Sequence, residues 1–259
     1  MSNEEFVQSK CDSINQMVGS LKYINCPVCR NKGYIAIPDG DREVIRDCEC
    51  MTKRAVMRRL EESGLRNSIE RYTFKTFQTP TEWQKSALKA CREYATDPHG
   101  WLILSGSPGT GKTHLCTAVC GELLKKGMDV RYLKWRTDAP TLKAWANTTE
   151  YEDRVRPYKT VRVLYIDDFW KARKGDDGEI HITDADVNLA FDILNDRYND
   201  TRLITILSSE MTVEEMLNID QALGSRIYER RQVYIKTRGK KNWRLRPQEA
   251  QEADIDADN

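Results

Sequence analysis

The run Gly106-Ser107-Pro108-Gly109-Thr110-Gly111-Lys112-Thr113 constrains the fold of this 259-residue chain more than any other stretch. It fits G-x-x-x-x-G-K-[ST], a turn whose glycines let backbone N–H groups converge on phosphate oxygens. An apolar segment, WLILS (101–105), precedes it, and HLCTAVCGELLKK (114–126) follows as a helix stopped by Gly127. A helix N-terminus behind such a turn adds partial positive charge to the anion site. The spacing therefore predicts a buried strand, a phosphate-binding loop and a helix, in that order. Lys112 is expected to reach the β- and γ-phosphates of ATP, and the Thr113 hydroxyl to ligate Mg²⁺.

The flanking pattern extends the same architecture. Strands are expected at 128–135, 161–167, 202–208 and 232–237, with helices near 81–95, 138–147, 184–199 and 212–230. Thr183 and Asp186 form a capping-box start for the helix at 184. Alternation of this kind predicts an α/β fold with a parallel sheet flanked by helices. A phosphate loop needs an acid on a neighbouring strand, and VRVLYIDD supplies two. Asp167 is expected to hold Mg²⁺, and Asp168 to polarise the attacking water.

A second constellation lies upstream. Cys26-Pro-Val-Cys29 and Cys48-Glu-Cys50 bracket a hairpin-like stretch with a PDGD turn. Four thiolates on two knuckles close a tetrahedral Zn²⁺ shell with no open position, which makes the metal structural; the alternatives are cysteines that hold no metal and an iron–sulfur cluster. Cys11 and Cys91 are isolated and carry no expected role, while Cys116 and Cys120, one turn apart on the helix after the phosphate loop, read as core. Residues 1–24 read as an amphipathic helix with Phe6, Val7, Ile14, Met17, Val18 and Leu21 near one face, and 51–63 as a basic helix.

These segments give a domain plan: 1–66, helix and four-cysteine zinc module; 67–80, linker; 81–248, nucleotide-binding domain; 249–259, an acidic tail expected to be disordered. With 31% charged residues and a mean hydropathy of −0.68, the chain has no apolar run near the roughly 18 residues of a membrane helix. Its start lacks a signal-peptide pattern, so a reduced, cytoplasmic protein is expected and secretion or membrane insertion excluded. The net charge of +1 hides asymmetry. Eight acids against one base at 176–200 contrast with nine bases against one acid at 224–246. The latter stretch suits phosphate or nucleic acid. Trp170-Lys171-Ala172-Arg173-Lys174, an aromatic among cations, reads either as a loop for stacking and neutralising single-stranded DNA or as a solvated loop.

From Phe74 to Arg246 the sequence resembles the AAA+ ATPases that load replicative helicases, of the DnaC/DnaI type, and their relatives the IstB transposition helpers. The segments that carry the resemblance are YTFKTF, GSPGTGKTHL, VLYIDDF, NDRYN, ILSSEMTVEEM, GSRIYERR and GKKNWR. It implies an AAA+ P-loop NTPase behind a zinc-stapled module that binds a hexameric DnaB-type helicase. It implies self-association as a hexamer or spiral, an arginine finger at Arg226 or Arg230 acting in trans, and a sensor-2-like arginine at Arg244. A sensor-1 residue falls at Ser209 or Glu210, where relatives often carry Asn. Asp168 replaces the usual Glu, so hydrolysis is expected to be slow or partner-stimulated. The alternative readings are an IstB-like helper on duplex DNA and a non-catalytic nucleotide-dependent adaptor.

Overall fold

The computed structural model describes residues 3–171, 182–237 and 239–243. The chain divides into two compact units, Met1–Glu62 and Ser63–Asn259.

In the first unit, α1 (Asn3–Gln16) is followed by an antiparallel hairpin, β1 (Tyr34–Asp39) and β2 (Arg42–Asp47), and by α2 (Cys50–Glu62). Val7 and Cys11 of α1 are buried with Ala36 of β1, and Ile14 packs against them. The helix is shorter than its apolar pattern predicts. Beyond it the backbone hydrogen-bonds across the first cysteine knuckle, Gly19 N–H to Arg30 O at 2.8 Å and Leu21 N–H to Asn31 O at 3.1 Å. That approach needs glycine, since a Cβ on Gly19 would lie 2.3 Å from Asn31 O. Phe6, Met17, Val18 and Leu21, expected on the buried face, are exposed.

The second unit begins with α3 (Arg66–Ile69) and α4 (Glu82–Thr96). The alternating part then runs β3 (Trp101–Ser105), α5 (Lys112–Lys125), β4 (Val130–Lys134), α6 (Trp135–Ala144), α7 (Tyr151–Thr160), β5 (Val163–Asp167) and α8 (Asp184–Asn199). It finishes with β6 (Ile204–Ser209), α9 (Val213–Ile219), α10 (Gln221–Arg230) and β7 (Arg231–Lys236). The sheet order is β4-β5-β6-β3-β7, and every pairing is parallel. Strands β3, β5 and β6 are buried along their whole length, which is why they read as unbroken apolar runs. On one face Trp101, Ile103, Leu164, Ile166 and Leu207 meet α6, α8, α9 and α10. Alternate positions such as Leu102 and Leu104 point to the opposite face. The C-terminal ends of β3, β5 and β6 lie side by side, which places the phosphate loop, the two aspartates and Ser209-Glu210 at one edge.

The stretch 67–80, read as a linker, folds against this unit. Tyr72 and Phe77 flank His114 with ring centroids 5.0 and 5.1 Å away, and Ile69 lies against Gly121 of α5. The single helix expected at 212–230 is two helices. Asp220 breaks it and its carboxylate caps α10, accepting Leu223 N–H at 2.6 Å. Among the described residues no helix is long and apolar enough to cross a membrane.

Candidate nucleotide and metal sites

The phosphate loop joins β3 to α5 as expected. Gly106, Gly109 and Gly111 all take positive φ, from 71° to 114°. Two of these positions also have no room for a side chain. A Cβ on Gly109 would lie 1.7 Å from the Asn242 carboxamide, and one on Gly111 would lie 2.7 Å from the Phe77 ring. The loop is stiffened from below: Thr110, buried, donates to Ser107 O and to Thr237 Oγ1, both at 3.0 Å. Gly239 N–H donates to Ser107 Oγ at 3.0 Å, and Trp243 N–H to Gly109 O at 3.0 Å. The segment after β7 therefore clasps the loop. Sequence reasoning missed Thr237 and Trp243, although GKKNWR marked the region.

A cleft of about 510 Å³ opens over the loop, lined among others by Pro108, Lys112, Thr113, Asp167, Asp168 and Glu210. The Lys112 ammonium donates to Gly106 O at 2.7 Å and Ser107 O at 2.8 Å. Burial lowers its pKa, and the charges of Glu210 and Asp168 oppose that effect. Thr113 donates to Asp167 Oδ1 at 3.0 Å, so the two expected Mg²⁺ ligands already converge. Asp167 is held by further hydroxyls: Tyr165 at 2.8 Å, Tyr132 at 3.0 Å, and Ser208. These partners come from β5, β4 and β6, and they hold the carboxylate in one orientation. Burial and the Asp167 charge raise the pKa of both tyrosines, so they remain donors. A threonine hydroxyl and an oriented carboxylate are oxygen donors of the kind Mg²⁺ takes, so the residues present fit that ion.

Asp168 has φ 53° and Trp170 φ 54°, both in the left-handed region that costs a non-glycine residue about 1 kcal/mol or more. The bend turns Asp168 into the cleft and sends Phe169 and Trp170 into the core, stacked at 4.8 Å and fully buried. This corrects the stacking role expected of Trp170 in the 170–174 loop. Trp170 cannot reach a base, and Lys171 points to Asp168 and Glu210. Arg173 and Lys174 lie outside the described residues.

Of the two sensor-1 candidates, Ser209 is fully buried and donates to Phe169 O at 2.7 Å, while Glu210 lines the cleft. Arg226 and Arg230 do not line it. Arg226 lies over the Phe191 and Tyr198 rings, 5.1 and 5.4 Å from their centroids. Arg244 lies outside the described residues. Tyr72, His114 and Trp243 also line the cleft, and His114 Nε2 lies 2.8 Å from Thr73 O. Burial lowers the His114 pKa, which keeps the ring neutral at pH 7.

In the N-terminal unit all four Sγ atoms of Cys26, Cys29, Cys48 and Cys50 lie within 4.8 Å of one another, and all four residues are buried. Cys26–Cys48 is 3.8 Å and Cys29–Cys50 is 3.5 Å. A tetrahedral shell with Zn–S of about 2.3 Å has S–S edges of about 3.8 Å, so the set fits zinc. Burial disfavours the Cys29 thiolate, yet Gly33 N–H and the neighbouring thiols outweigh it and bring the pKa down to about 6. Arg54, unnoticed in the sequence, is buried beside the cluster. It donates to Cys50 Sγ at 3.5 Å, Ile24 O at 2.6 Å and Asn31 Oδ1 at 2.9 Å. It thus ties α2 to the first knuckle and faces the sulfurs with positive charge.

Comparison with known proteins agrees with this geometry. Residues 42–242 match the family of IstB-like ATP binding proteins. The phage-like element PBSX protein XkdC of Bacillus subtilis is 33% identical over 215 residues, 79% of each chain. The replicative helicase loader DnaC of Escherichia coli is 27% identical over 183 residues, 68% of this chain and 69% of that one. A crystal structure of the DnaC helicase loader shares the fold with a TM-score of 0.52 and 22% identity, over 65% of this chain and 98% of that one. AMPPCP-bound DnaA from Aquifex aeolicus gives 0.52 and 24% identity over 64% of this chain, which spans only 49% of DnaA. The chain belongs to the IstB-like ATP binding proteins, as a P-loop AAA+ ATPase related to the DnaC helicase loaders.

Proposed function

We propose that the protein uses ATP to place a hexameric DnaB-type replicative helicase on single-stranded DNA during DNA replication. The observation that carries this reading is the 27% identity with the DnaC loader over 183 residues. In this reading the cleft binds MgATP, with Lys112 and the loop amides on the phosphates. Thr113 and Asp167 would hold Mg²⁺, which would supply neutralisation of the phosphate charge. Asp168 orients and polarises the attacking water. Ser107 to Gly111 cradle the phosphates, and Ser209 acts behind them by holding the strand end. Arg226 or Arg230 reaches a neighbouring subunit's nucleotide in a hexamer or spiral, and Arg244 acts as the second sensor.

The N-terminal unit holds the helicase. Among the described residues, every large exposed apolar side chain except Tyr228 lies in it, including Phe6, Met17, Val18, Val28 and Ile45. These side chains are the ones we assign to the helicase contact. Zinc on the four cysteines gives the module the staple that so small a core needs. The basic stretch at 224–246 supplies phosphate contacts for single-stranded DNA. A reducing cytoplasm suits free thiolates on zinc.

The test is reconstitution with the host replicative helicase in MgATP and in MgADP, followed by helicase transfer to circular single-stranded DNA. A nucleotide-dependent complex that loads helicase supports the reading. Absence of any helicase complex, in protein that turns over ATP, overturns it. A second reading, an IstB-like helper on duplex DNA, is favoured by the family match over residues 42–242 and predicts capture of a transposase instead. A non-catalytic adaptor predicts no turnover with either DNA.

A further inference from the structure

Glu210 poses an electrostatic problem. It lines the cleft together with Asp167 and Asp168, so three carboxylates face the space that takes a polyphosphate. Mg²⁺ on Asp167 relieves one of them and leaves the Asp168–Glu210 side with the wrong sign. Lys171 offsets one of these two charges. Its ammonium lies 2.8 Å from Glu210 Oε1 and 3.4 Å from Asp168 Oδ1, and its side chain is only 26% exposed. Burial works against this charge, but the hydrogen bonds and charges of Glu210 and Asp168 outweigh it and raise the pKa. Lys112 is held at the mouth of the phosphate loop by Gly106 O and Ser107 O. Lys171 is a second ammonium in the same cleft, on the side of Asp168.

We propose that Lys171, positioned by Glu210, is the residue through which this ATPase distinguishes ATP from ADP. The inference rests on the cleft being the MgATP site and deepens that reading. With a diphosphate, the ammonium has only its two carboxylates to bind. With a triphosphate, the terminal phosphate competes for it. The longer contact, at 3.4 Å to Asp168, gives way before the 2.8 Å contact to Glu210. The ammonium then moves to the phosphate while Glu210 keeps hold of it, and Asp168 is freed to polarise water. One lysine thereby couples recognition of the third phosphate to release of the catalytic acid. A carboxylate at 210 is then tolerated beside the phosphates, because the phosphate meets the cation that Glu210 carries.

The experiment uses the full chain and compares wild type with Lys171→Ala, Lys171→Arg, Glu210→Ala and the Lys171→Ala/Glu210→Ala double variant. Calorimetry gives affinities for MgADP and for the non-hydrolysable MgAMPPCP, and steady-state assays give kcat and KM. A lost charge-assisted hydrogen bond to the terminal phosphate corresponds to about tenfold. Lys171→Ala should therefore lose about tenfold in AMPPCP affinity and in kcat while MgADP affinity changes by less than about twofold. Lys171→Arg should retain most of the discrimination. Glu210→Ala should lower kcat less, and the double variant should bind AMPPCP no worse than Lys171→Ala, recovering part of the loss because the unpaired Glu210 charge no longer faces the phosphate. Equal losses for both nucleotides would make the pair merely structural and overturn the proposal. A rise in turnover on Lys171→Ala would overturn it in favour of an inhibitory clamp. Lys112→Ala serves as the control for the site: if it binds both nucleotides as wild type does, the reading of the cleft fails. If only the Lys171 variants behave like wild type, this inference fails and the site stands.

Discussion

Arg197 shows how one residue fixes the position of a site it never touches. Its side chain is fully buried and donates to Thr205 Oγ1 at 3.0 Å, Val161 O at 2.8 Å, Tyr158 O at 3.1 Å and Ile204 O. The α7 carbonyls sit at the negative end of that helix, which favours a cation there. The guanidinium thus joins the end of α7 to β6, the strand that ends in Ser208-Ser209. Arg197→Met would leave these acceptors without donors, at about 1–3 kcal/mol in the net. Thermal unfolding should show a Tm lower by several degrees, at about 2–4 °C per kcal/mol for a chain of this size. An unchanged Tm would mean that the carbonyls find other donors. Much of the cleft was legible at this scale, because Lys112, Thr113, Asp167 and Asp168 belong to contiguous motifs with fixed chemistry. Tyr132, Tyr165 and Ser208 were not, since a hydroxyl that orients a carboxylate from another strand leaves no local pattern. Lys171 was legible as a cation but assigned to DNA. The left-handed turn at Asp168 and Trp170, which redirects it, has no signature in residue type.

Elements were legible where periodicity and caps agreed. The Thr183–Asp186 capping box is present at the start of α8, with Asp186 N–H donating to Thr183 Oγ1 at 3.2 Å. Helix α7 was missed because YEDRVRPYKT is almost wholly polar and carries Pro157, so only Val155 and Lys159 are buried. Helix α9 is tied to β7 by Glu214 and Lys236, and the Lys236 hydrogen bond holds the Glu214 carboxyl down to about 2. Its unfolded value is 4.5, so the contribution is complete above that pH and is lost as pH falls from 4.5 towards about 2. Both side chains are half exposed, so solvent screens the pair, its contribution is small and it is salt-sensitive. Urea midpoints for wild type and Glu214→Gln should differ slightly at pH 6 and converge near pH 2; a constant gap would contradict this. In the N-terminal unit the hairpin is held between two cysteine knuckles. The purified protein should therefore contain about one zinc per chain, and Cys29→Ser should remove it and unfold residues 25–50 while ATP binding survives. Elemental analysis without zinc, in protein never exposed to chelator, would refute the metal assignment.

For the whole molecule, the order of strands and the place of the phosphate loop follow from the alternation of apolar runs and helices. What one chain cannot display is a site completed by its neighbour. Neither Arg226 nor Arg230 lines its own cleft, so a finger from either must act across subunits. Arg230→Ala and Asp168→Asn should each be inactive alone, and mixing them should restore part of the turnover. Mixtures as inactive as their components would place the arginines in the fold instead. The central claim is that the cleft between the phosphate loop and β5 turns over MgATP. The most direct measurement is ATP hydrolysis by the full chain, with and without helicase and single-stranded DNA, beside Lys112→Ala. Turnover should need Mg²⁺, rise with these partners and disappear in Lys112→Ala, whose nucleotide affinity should also fall. Equal turnover or equal nucleotide affinity in the two proteins would contradict it.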